Sequence, residues 1–429
     1  MANIDTASRV ATSPAPLAES AVIAAPGGLR GVFSSLQNRN FRVFWIGMLF
    51  SFIGLQMGQV AQQWLVYELT GSSTYLGVVG AATGLPMLGF SLLGGVVADR
   101  VVKRNLLIIT QGSIGLLAFL IAILLVMDLL RPWHVLAVAF LSGIIFSFNA
   151  PGRQSMIPEL VPPGQLMNAI ALNSAGMNFT RIIAPTIAGI LIGVIGLAGT
   201  YYVYASQYVI AVALLFLLPA SMSSRSKMGT MQEDAVEGMR YVIDNKVVLG
   251  LLILGAVPII FALPYQTLLP VFVKDVLRAG PETLGLMLGA VGFGAIAGSF
   301  GVAFLGNSFR HKGLLMLGAA LAFGLAVVLF SQSRSIPVSL ATLVLLGAGS
   351  MTFMAVNQTI IQMMVPEEVR GRVMGLYIMS WGLMPLGSLP AGVLADVIGA
   401  PAIVAIGGGI TVVVALGALL FAPALRRLE

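Results

Sequence analysis

The chain has 429 residues, of which 58% are hydrophobic and only 9% are charged, and its formal net charge is +7. Soluble domains use about 45–50% apolar and about 25% charged residues, so this composition excludes an ordinary soluble domain and extensive disorder. A helix that crosses a bilayer needs about 20 apolar residues, so the hydrophobic content predicts a polytopic membrane protein with room for about twelve such helices.

Several chemistries are excluded by residue type. The chain contains no cysteine, and its two histidines, His134 and His311, lie far apart at loop edges. A disulfide, a metal cluster and a Ser-His-Asp triad are therefore not expected. No G-x-x-x-x-G-K-[ST] stretch is present, which excludes a P-loop motor. We expect neither an enzyme nor a bound metal or cofactor.

The chain opens with a segment that does not resemble a secretory signal. Residues 1–29 are rich in Ala, Ser and Pro and lack a basic start followed by an apolar run. We predict a cytosolic tail over residues 1–40, and we expect residues 36–42 to lie at the membrane surface and lead into the first span.

Twelve apolar windows follow, bounded by charged residues, and most are long enough to cross a bilayer. Helix 5 is interrupted only by Arg181 and continues into the long stretch that also holds helix 6, which is entered near Tyr201. The windows are 43–67, 69–98, 105–127, 132–152, 160–180 with the start of 182–224, the rest of 182–224, 247–273, 283–309, 313–333, 335–366, 373–395 and 397–425.

Lys and Arg are distributed unevenly between the two sets of loops. With the N-terminus inside, 18 of the 23 lie on the cytosolic side, four lie outside, and Arg181 is left in the membrane. This bias matches the positive-inside rule. We therefore expect a multi-pass protein of the inner (plasma) membrane with both termini cytosolic. The outer set is Arg131, Lys274, Arg278 and Arg334.

Residues 220–246 form the only long polar stretch inside the chain. Thr230 and Glu233 have the spacing of a capping box, and Ala235, Met239 and Val242 share the face of the helix that would follow. We predict an amphipathic helix in a cytosolic linker between two six-helix bundles. The predicted domains are residues 1–40, 41–219, 220–246, 247–423 and 424–429.

The two bundles look like copies of each other. Residues 68–77 match 276–285 at an offset of 208, and residues 154–162 match 358–366 at an offset of 204. Two weak matches in the same order, at nearly one offset, predict parallel six-helix repeats.

The loop after helix 2 carries a charged motif, GVVADRVVKR, at residues 95–104. Gly95 allows close helix packing, and Asp99 can accept bonds from a helix N-terminus. After helix 8 the acid is absent, so a gate here would belong mainly to the first half. We predict a cytosolic gate formed by Gly95, Asp99, Arg100, Lys103, Arg104 and Arg153.

This motif resembles the signature of the major facilitator superfamily. Residues 38–42 (NRNFR), 64–71 (WLVYELTG), 151–154 (PGRQ, with Pro158) and 366–372 (PEEVRGR) are similar to the drug- and siderophore-efflux branch that includes enterobactin exporters. The resemblance implies twelve helices in two pseudo-symmetric bundles, alternating access and proton coupling. No acid lies inside a span, and Glu68 is the coupling candidate.

Helix 5 carries a degraded form of the glycine-rich motif of exporters in that superfamily, with alanines at Ala184 and Ala188. Pro185 removes one helix hydrogen bond and predicts a kink, and Gly189 permits close packing. The motif favours export without fixing the direction of transport.

Arg181 is the most informative single residue. A central arginine costs about 2.5–3.5 kcal/mol on insertion scales, so it should face the bundle interior or a wet cavity. Asn178 and Pro185 share its side of the helix. Arg181 could contact an anionic or carbonyl-rich substrate, anchor backbone carbonyls, or extend to the interface from a deeper span.

Polar side chains on two other helices complete the candidate binding site. Gln56, Gln59 and Gln63 share one face of helix 1, where they could line a cavity or bond neighbouring helices. Tyr265 and Gln266 on helix 7 could form a wall or gate. Gly292 and Gly294 look faintly like a nucleotide loop but lie inside a span, which indicates helix packing.

These observations predict a secondary active transporter. The expected activity is efflux of an amphipathic small molecule, with protons as coupling ion. An uptake symporter on the same fold and a membrane receptor or scaffold without transport are the alternatives. The expected partners are a small-molecule substrate, protons and the lipid bilayer, without nucleic acid, and the protein is expected to be monomeric.

Overall fold

The computed structural model describes residues 33–219, 239–305, 311–426 and 428, which form helices and short connections. Apolar runs of 20 to 30 residues satisfy every backbone polar group only as helices in a lipid environment. The first four long helices are α1 (Arg39–Thr70), α2 (Ser73–Arg100), α3 (Lys103–Val126) and α4 (Pro132–Leu160).

The helix Leu166–Phe216 is 51 residues long and is interrupted at Gly196, where φ is +74° and ψ is 176°. Only glycine adopts this backbone conformation without strain. The break divides the helix into two arms, α5 over residues 166–195 and α6 over residues 197–216. The predicted entry into helix 6 near Tyr201 is therefore a few residues late, and α5 begins at Leu166 rather than at residue 160.

The second half repeats this plan. α7 runs from Lys246 to Val276 and contains two π-helical stretches, Pro258–Ala262 and Phe272–Val276. α11 runs from Glu367 to Ile398 through a short 3-10 turn, Ser380–Leu383. The other long helices are α8 (Pro281–Leu305), α9 (Lys312–Gln332), α10 (Ile336–Met364) and α12 (Ala400–Phe421).

Within the described residues, ten segments are both long and apolar enough to cross a membrane. One of these, Pro163–Phe216, holds both α5 and α6. α2, with 28 residues, is about 42 Å long and has spanning length as well. These described segments therefore provide twelve helices in the predicted order.

The predicted amphipathic linker helix falls mostly on residues 220–238, which lie outside the described residues. Residues 239–244 are helical. Asn245 then caps α7, because its side chain accepts hydrogen bonds from the backbone N–H groups of Val247 and Val248, both at 3.2 Å.

Equivalent helices make equivalent contacts in the two halves. α2 packs on α4 as α8 packs on α10, and α3 packs on α6 as α9 packs on α12. The halves meet along two helix pairs, α2 with α11 and α5 with α8. We call the face where α1 begins and α12 ends the terminal face, and the opposite face the far face.

The predicted offsets reappear in the contacts between the halves. A Cβ on Gly84 of α2 would lie 2.5 Å from Pro385 of α11, and one on Gly292 of α8 would lie 2.9 Å from the Arg181 carbonyl oxygen of α5. Gly84 and Gly292 differ by 208 positions, and Arg181 and Pro385 differ by 204. The two helix crossings are therefore pseudo-symmetric copies of each other.

Candidate functional site

The exposure pattern along α5 indicates a crevice between the halves that opens at the terminal face and ends near mid-depth. One face of α5 shows this along its length. Ser174 is exposed, Asn178 is half-buried and Arg181 is exposed, whereas Pro185 and Gly189, one and two turns further along, are buried against α8. A Cβ on Gly189 would lie 2.5 Å from the Pro281 carbonyl oxygen. The half of the α5–α8 contact nearer the far face is therefore closed, and this closed part, the seal, begins at Arg181.

Arg181 lies at the middle of its helix. It is 15 residues from the start of α5 at Leu166 and 15 residues from the break at Gly196, or about 22 Å from either end. Its side chain is exposed and makes no hydrogen bond or ion pair with a described residue. At this depth the Arg181 side chain is too far from either membrane surface to extend to it. No described carbonyl oxygen accepts a hydrogen bond from its guanidinium.

Two amides of α1 lie near the same depth. α1 and α5 run parallel at an offset of 127, because the Trp45 indole N–H donates to the Leu172 carbonyl oxygen at 3.0 Å. This offset places Gln56 level with residue 183. Gln56 is half-buried and Gln59 is exposed. Gln63, one turn further from the terminal face, has a buried Oε1 with no described hydrogen-bond partner.

Tyr265 and Gln266 lie in the far half of α7, away from the open part of the crevice. Tyr265 is only 1% exposed, and its ring meets the edge of Phe330 on α9 with centroids 6.2 Å apart. Its hydroxyl accepts a hydrogen bond from the Gln266 amide at 3.2 Å. In this conformation Tyr265 belongs to the core of the second half.

The charged motif lies at the terminal face, where α2 ends and α3 begins. Gly95, Asp99 and Arg100 are in the last turns of α2, and the Asp99 side chain lies outside the described part. Lys103 forms an ion pair with Glu159 of α4 and also donates to the Ser155 carbonyl oxygen at 3.2 Å. These Lys103 contacts join helices of the first half.

Arg104 and Arg153 also make contacts within the first half. Arg104 donates to the carbonyl oxygens of Leu215 and Phe216, both at 3.0 Å, and so caps the C-terminus of α6. The Arg153 guanidinium lies 4.7 Å from the centre of the Phe52 ring on α1, a cation–π arrangement.

Two sets of hydrogen bonds join the halves at the far face. Tyr67 at the end of α1 donates to the Asp275 carboxylate at the end of α7. Asp396 of α11 accepts from the Ser72 hydroxyl at 2.7 Å and from the backbone N–H groups of Ser73 at 2.7 Å and Thr74 at 3.0 Å. Its negative charge therefore caps the N-terminus of α2, where the helix dipole favours an anion. We call these two sets the far-face bonds.

Sequence reasoning missed the acids of the far-face bonds. It selected Glu68, which is exposed and makes no hydrogen bond or ion pair with a described residue. One available signal was the repeat itself, since Tyr67 and Asp275 are separated by 208 positions. The offset places them at equivalent positions of the two halves.

A family model described as transmembrane secretion effector matches residues 30–429. The chain belongs to this family of the major facilitator superfamily. The predicted superfamily and the predicted all-helical fold are confirmed, and the protein is a membrane-embedded transporter rather than an enzyme. The efflux character of its relatives agrees with the branch identified from the sequence.

Relatives with related functions are similar over most of the chain. A staphyloferrin A transporter of Staphylococcus aureus is 28% identical, over 83% of this chain and 90% of its own length. A multidrug efflux pump of Mycolicibacterium fortuitum is 27% identical, over 79% of this chain and 85% of its own length. An enterobactin exporter of Escherichia coli is also 27% identical, over 79% and 80%.

Solved structures share the fold at low sequence identity. A bacterial homologue of the iron transporter ferroportin in an inward-facing state superposes with a TM-score of 0.71 at 17% identity, covering 90% of this chain and 99% of that one. A D-xylose–proton symporter gives 0.67 at 16% identity, covering 90% and 98%. These similarities support the fold alone.

Proposed function

We propose that this transporter works by alternating access and exports an amphipathic small molecule from the cytosol. The observation that carries the proposal is the asymmetry of the crevice. Glycine contacts and the far-face bonds close one end, while the α5 face from Ser174 to Arg181 stays open at the other. A closed end opposite an open end is what one state of an alternating-access cycle requires.

The orientation of the protein follows from its charges. The four Lys and Arg residues expected outside all lie at far-face helix ends or loops, and the terminal face carries most of the others. The positive-inside rule therefore assigns the terminal face to the cytosol, with both termini cytosolic in the inner membrane. The crevice in this conformation would then open inward, where an exporter collects its substrate.

The substrate site we propose centres on Arg181 and Asn178 of α5, with Gln56, Gln59 and Gln63 of α1. Amides both donate and accept, which suits a ligand with several polar groups. Pro185 and Gly189 lie where α5 packs on α8. Separation of these two helices would therefore also move Arg181, which α5 carries. Tyr265 and Gln266 would join the site only if α7 rearranged.

The terminal-face gate is proposed to form in the opposite state. Its residues are those of the charged motif, Gly95, Asp99, Arg100, Lys103 and Arg104, with Arg153. Because Lys103 and Arg104 hold α3 to α4 and α6, the first half would swing as one body and bring the end of α2 against the second half. At the far face the corresponding contact is already formed, because Asp396 of the second half caps the N-terminus of α2.

Export, the proton as coupling ion and a monomeric state remain proposals. The named relatives support the direction, since one is a multidrug efflux pump and another an enterobactin exporter. Proton coupling draws on the family resemblance alone, and Glu68 remains the coupling candidate.

Vesicle transport tests the proposal. Inside-out vesicles that are energised by respiration should accumulate the substrate, and an ionophore that collapses the proton gradient should abolish the accumulation. Uptake only into right-side-out vesicles would favour a symporter. No gradient-dependent flux in either orientation would favour a receptor or scaffold.

A further inference from the structure

Arg181 leaves a positive charge at the inner end of the crevice, with no partner among the described residues. From its depth, its exposure and the absence of acids near it in the described part of the chain, we infer that the substrate is an organic anion whose carboxylate or equivalent group binds the Arg181 guanidinium. This inference rests on the proposed function, because it assigns the substrate class of the same crevice.

The charge distribution along the spans supports an anionic ligand. No Asp or Glu occurs between Glu159 and Glu233, so α5 and α6 carry none. On the other described long helices, every acid lies within two residues of a helix end: Glu68, Asp99, Glu159, Asp275, Glu282, Glu367, Glu368 and Asp396. Arg181 is 15 residues from either end of its arm, and Gly292 beside it is ten residues from Glu282, so these acids lie about 15–20 Å away in depth. No described acid is placed to neutralise it.

The position of the guanidinium follows from helix geometry. In a helix the Cα–Cβ bond tilts toward the N-terminus, and the N-terminus of α5 is at the terminal face. The Arg181 side chain therefore leans toward the open part of the crevice. On the sealed side, its own carbonyl oxygen lies against Gly292. The cation is thus presented to whatever enters from the terminal face.

The rest of the α5 face has the amphipathic character that such a ligand needs. Met167, 81% exposed, and Ile170, 45% exposed, lie on the same face nearer the mouth. Ser174 and Asn178 follow, and Arg181 is at the end. An apolar group would contact the outer part of this surface while an anionic group reaches the guanidinium, which can bind a carboxylate through two parallel hydrogen bonds.

Arg153 does not offer an equivalent site. Its guanidinium is stacked over Phe52 inside the first half, so it is already engaged by an aromatic face. Among the arginines on the described long helices, Arg181 lies farthest from a helix end, and it is exposed and has no described partner.

A pair of probes with one aromatic body and opposite charges tests the inference. Pyrenebutyrate and pyrenebutyltrimethylammonium would be titrated onto the full-length protein in lipid nanodiscs, with pyrene fluorescence as the readout. Arg181→Gln removes the charge, and Arg181→Lys keeps it without the two-pronged geometry. Arg131→Gln makes the same charge change at an exposed far-face position and serves as the matched control.

We expect the anionic probe to bind the wild type at least about tenfold more tightly than the cationic probe, the scale of a hydrogen bond to a charged group. Arg181→Gln should lose that preference, Arg181→Lys should keep part of it, and Arg131→Gln should keep all of it. Equal or tighter binding of the cation, unchanged anion binding by Arg181→Gln, or no binding of either probe would overturn the inference. If Arg181→Gln fails to fold, the wild type and Arg181→Lys decide.

Transport separates this inference from the proposed function. If vesicles move the cationic probe with gradient dependence while the anionic probe neither binds nor moves, the protein is a transporter and the anion assignment is wrong. If the anionic probe binds through Arg181 but no substrate moves in either orientation, the anion site stands and the transport proposal fails.

Discussion

Tyr67 donates a hydrogen bond to Asp275, and the two residues are separated by 208 positions, the offset that relates the first half to the second. The bond therefore joins equivalent positions of the two halves at the far ends of α1 and α7, on the pseudo-twofold axis that such a pairing defines. The Lys274 ammonium lies 5.7 Å from the centre of the Tyr67 ring. In the proposed alternating-access cycle, this bond would break when the far face opens.

The Tyr67–Asp275 bond predicts a coupled pair of substitutions. Tyr67→Phe and Asp275→Ala should each favour the far-open state, and the double variant should add little to either single one, because all three remove the same bond. The readout is maleimide labelling of Ser388→Cys, which lies at a position only 3% exposed in the far-face seal of a chain that otherwise has no cysteine. Additive effects of the two substitutions would show that the bond does not act as a unit.

Asp396 carries the second set of far-face bonds. Asp396→Asn removes the negative charge from the N-terminus of α2 and weakens three hydrogen bonds. A hydrogen bond to a charged group contributes about 1.5–3 kcal/mol, so labelling of Ser388→Cys should rise by about tenfold or more. Asp128→Asn, at an exposed acid of the same face, is the control and should leave labelling unchanged. Equal labelling in both variants would argue against the far-face bonds as a gate.

The contact between α1 and α6 predicts a stability effect. A Cβ on Gly58 would lie 2.5 Å from Tyr204 Cζ, whereas a Cβ on Gly112 of α3 would meet nothing within 4 Å. Gly58→Ala should destabilise the protein by about 1–3 kcal/mol through overpacking, and Gly112→Ala should be neutral or slightly stabilising. Thermal unfolding in detergent compares them, and equal melting temperatures would contradict the packing at Gly58.

Lys103 and Glu159 form a largely buried ion pair, with side-chain exposures of 7% and 16%. Lys103→Met leaves the Glu159 charge unpaired and should cost about 3–5 kcal/mol of stability, while Lys103→Met combined with Glu159→Met should recover much of the loss. Thermal unfolding and membrane expression measure both. If the double variant is less stable than Lys103→Met alone, the prediction fails, and Glu159 then stabilises the protein even without Lys103.

The sequence predicted the helices well because long apolar runs leave the backbone few alternatives. The repeat offsets of 208 and 204 were also visible in short matches, and they reappear in the crossing of Gly84 with Pro385 and of Gly292 with Arg181. Arg181 could be singled out because an arginine at the middle of an apolar run is costly.

The contacts between elements were less accessible. Periodicity could not decide whether Tyr67 or its neighbour Glu68 faces the second half, and the capping of α2 by Asp396 joins residues more than 320 positions apart. Tyr265 was singled out as part of a wall or gate, and the sequence did not indicate that its ring packs into the core against Phe330 in this conformation. These outcomes depend on tertiary packing, which residue types along one helix do not specify.

Two distances measured in one experiment test the central proposal, that the halves rock about a crevice ending at Arg181. Spin labels on cysteines at positions 75 and 397 report the far face, and labels at positions 167 and 304 report the terminal face; all four positions are exposed. Double electron–electron resonance would be recorded on nanodisc samples in the wild-type background and with Asp396→Asn. The account predicts that Asp396→Asn lengthens the far-face distance and shortens the terminal-face distance. Two distances that stay fixed, or that change in the same direction, would contradict it.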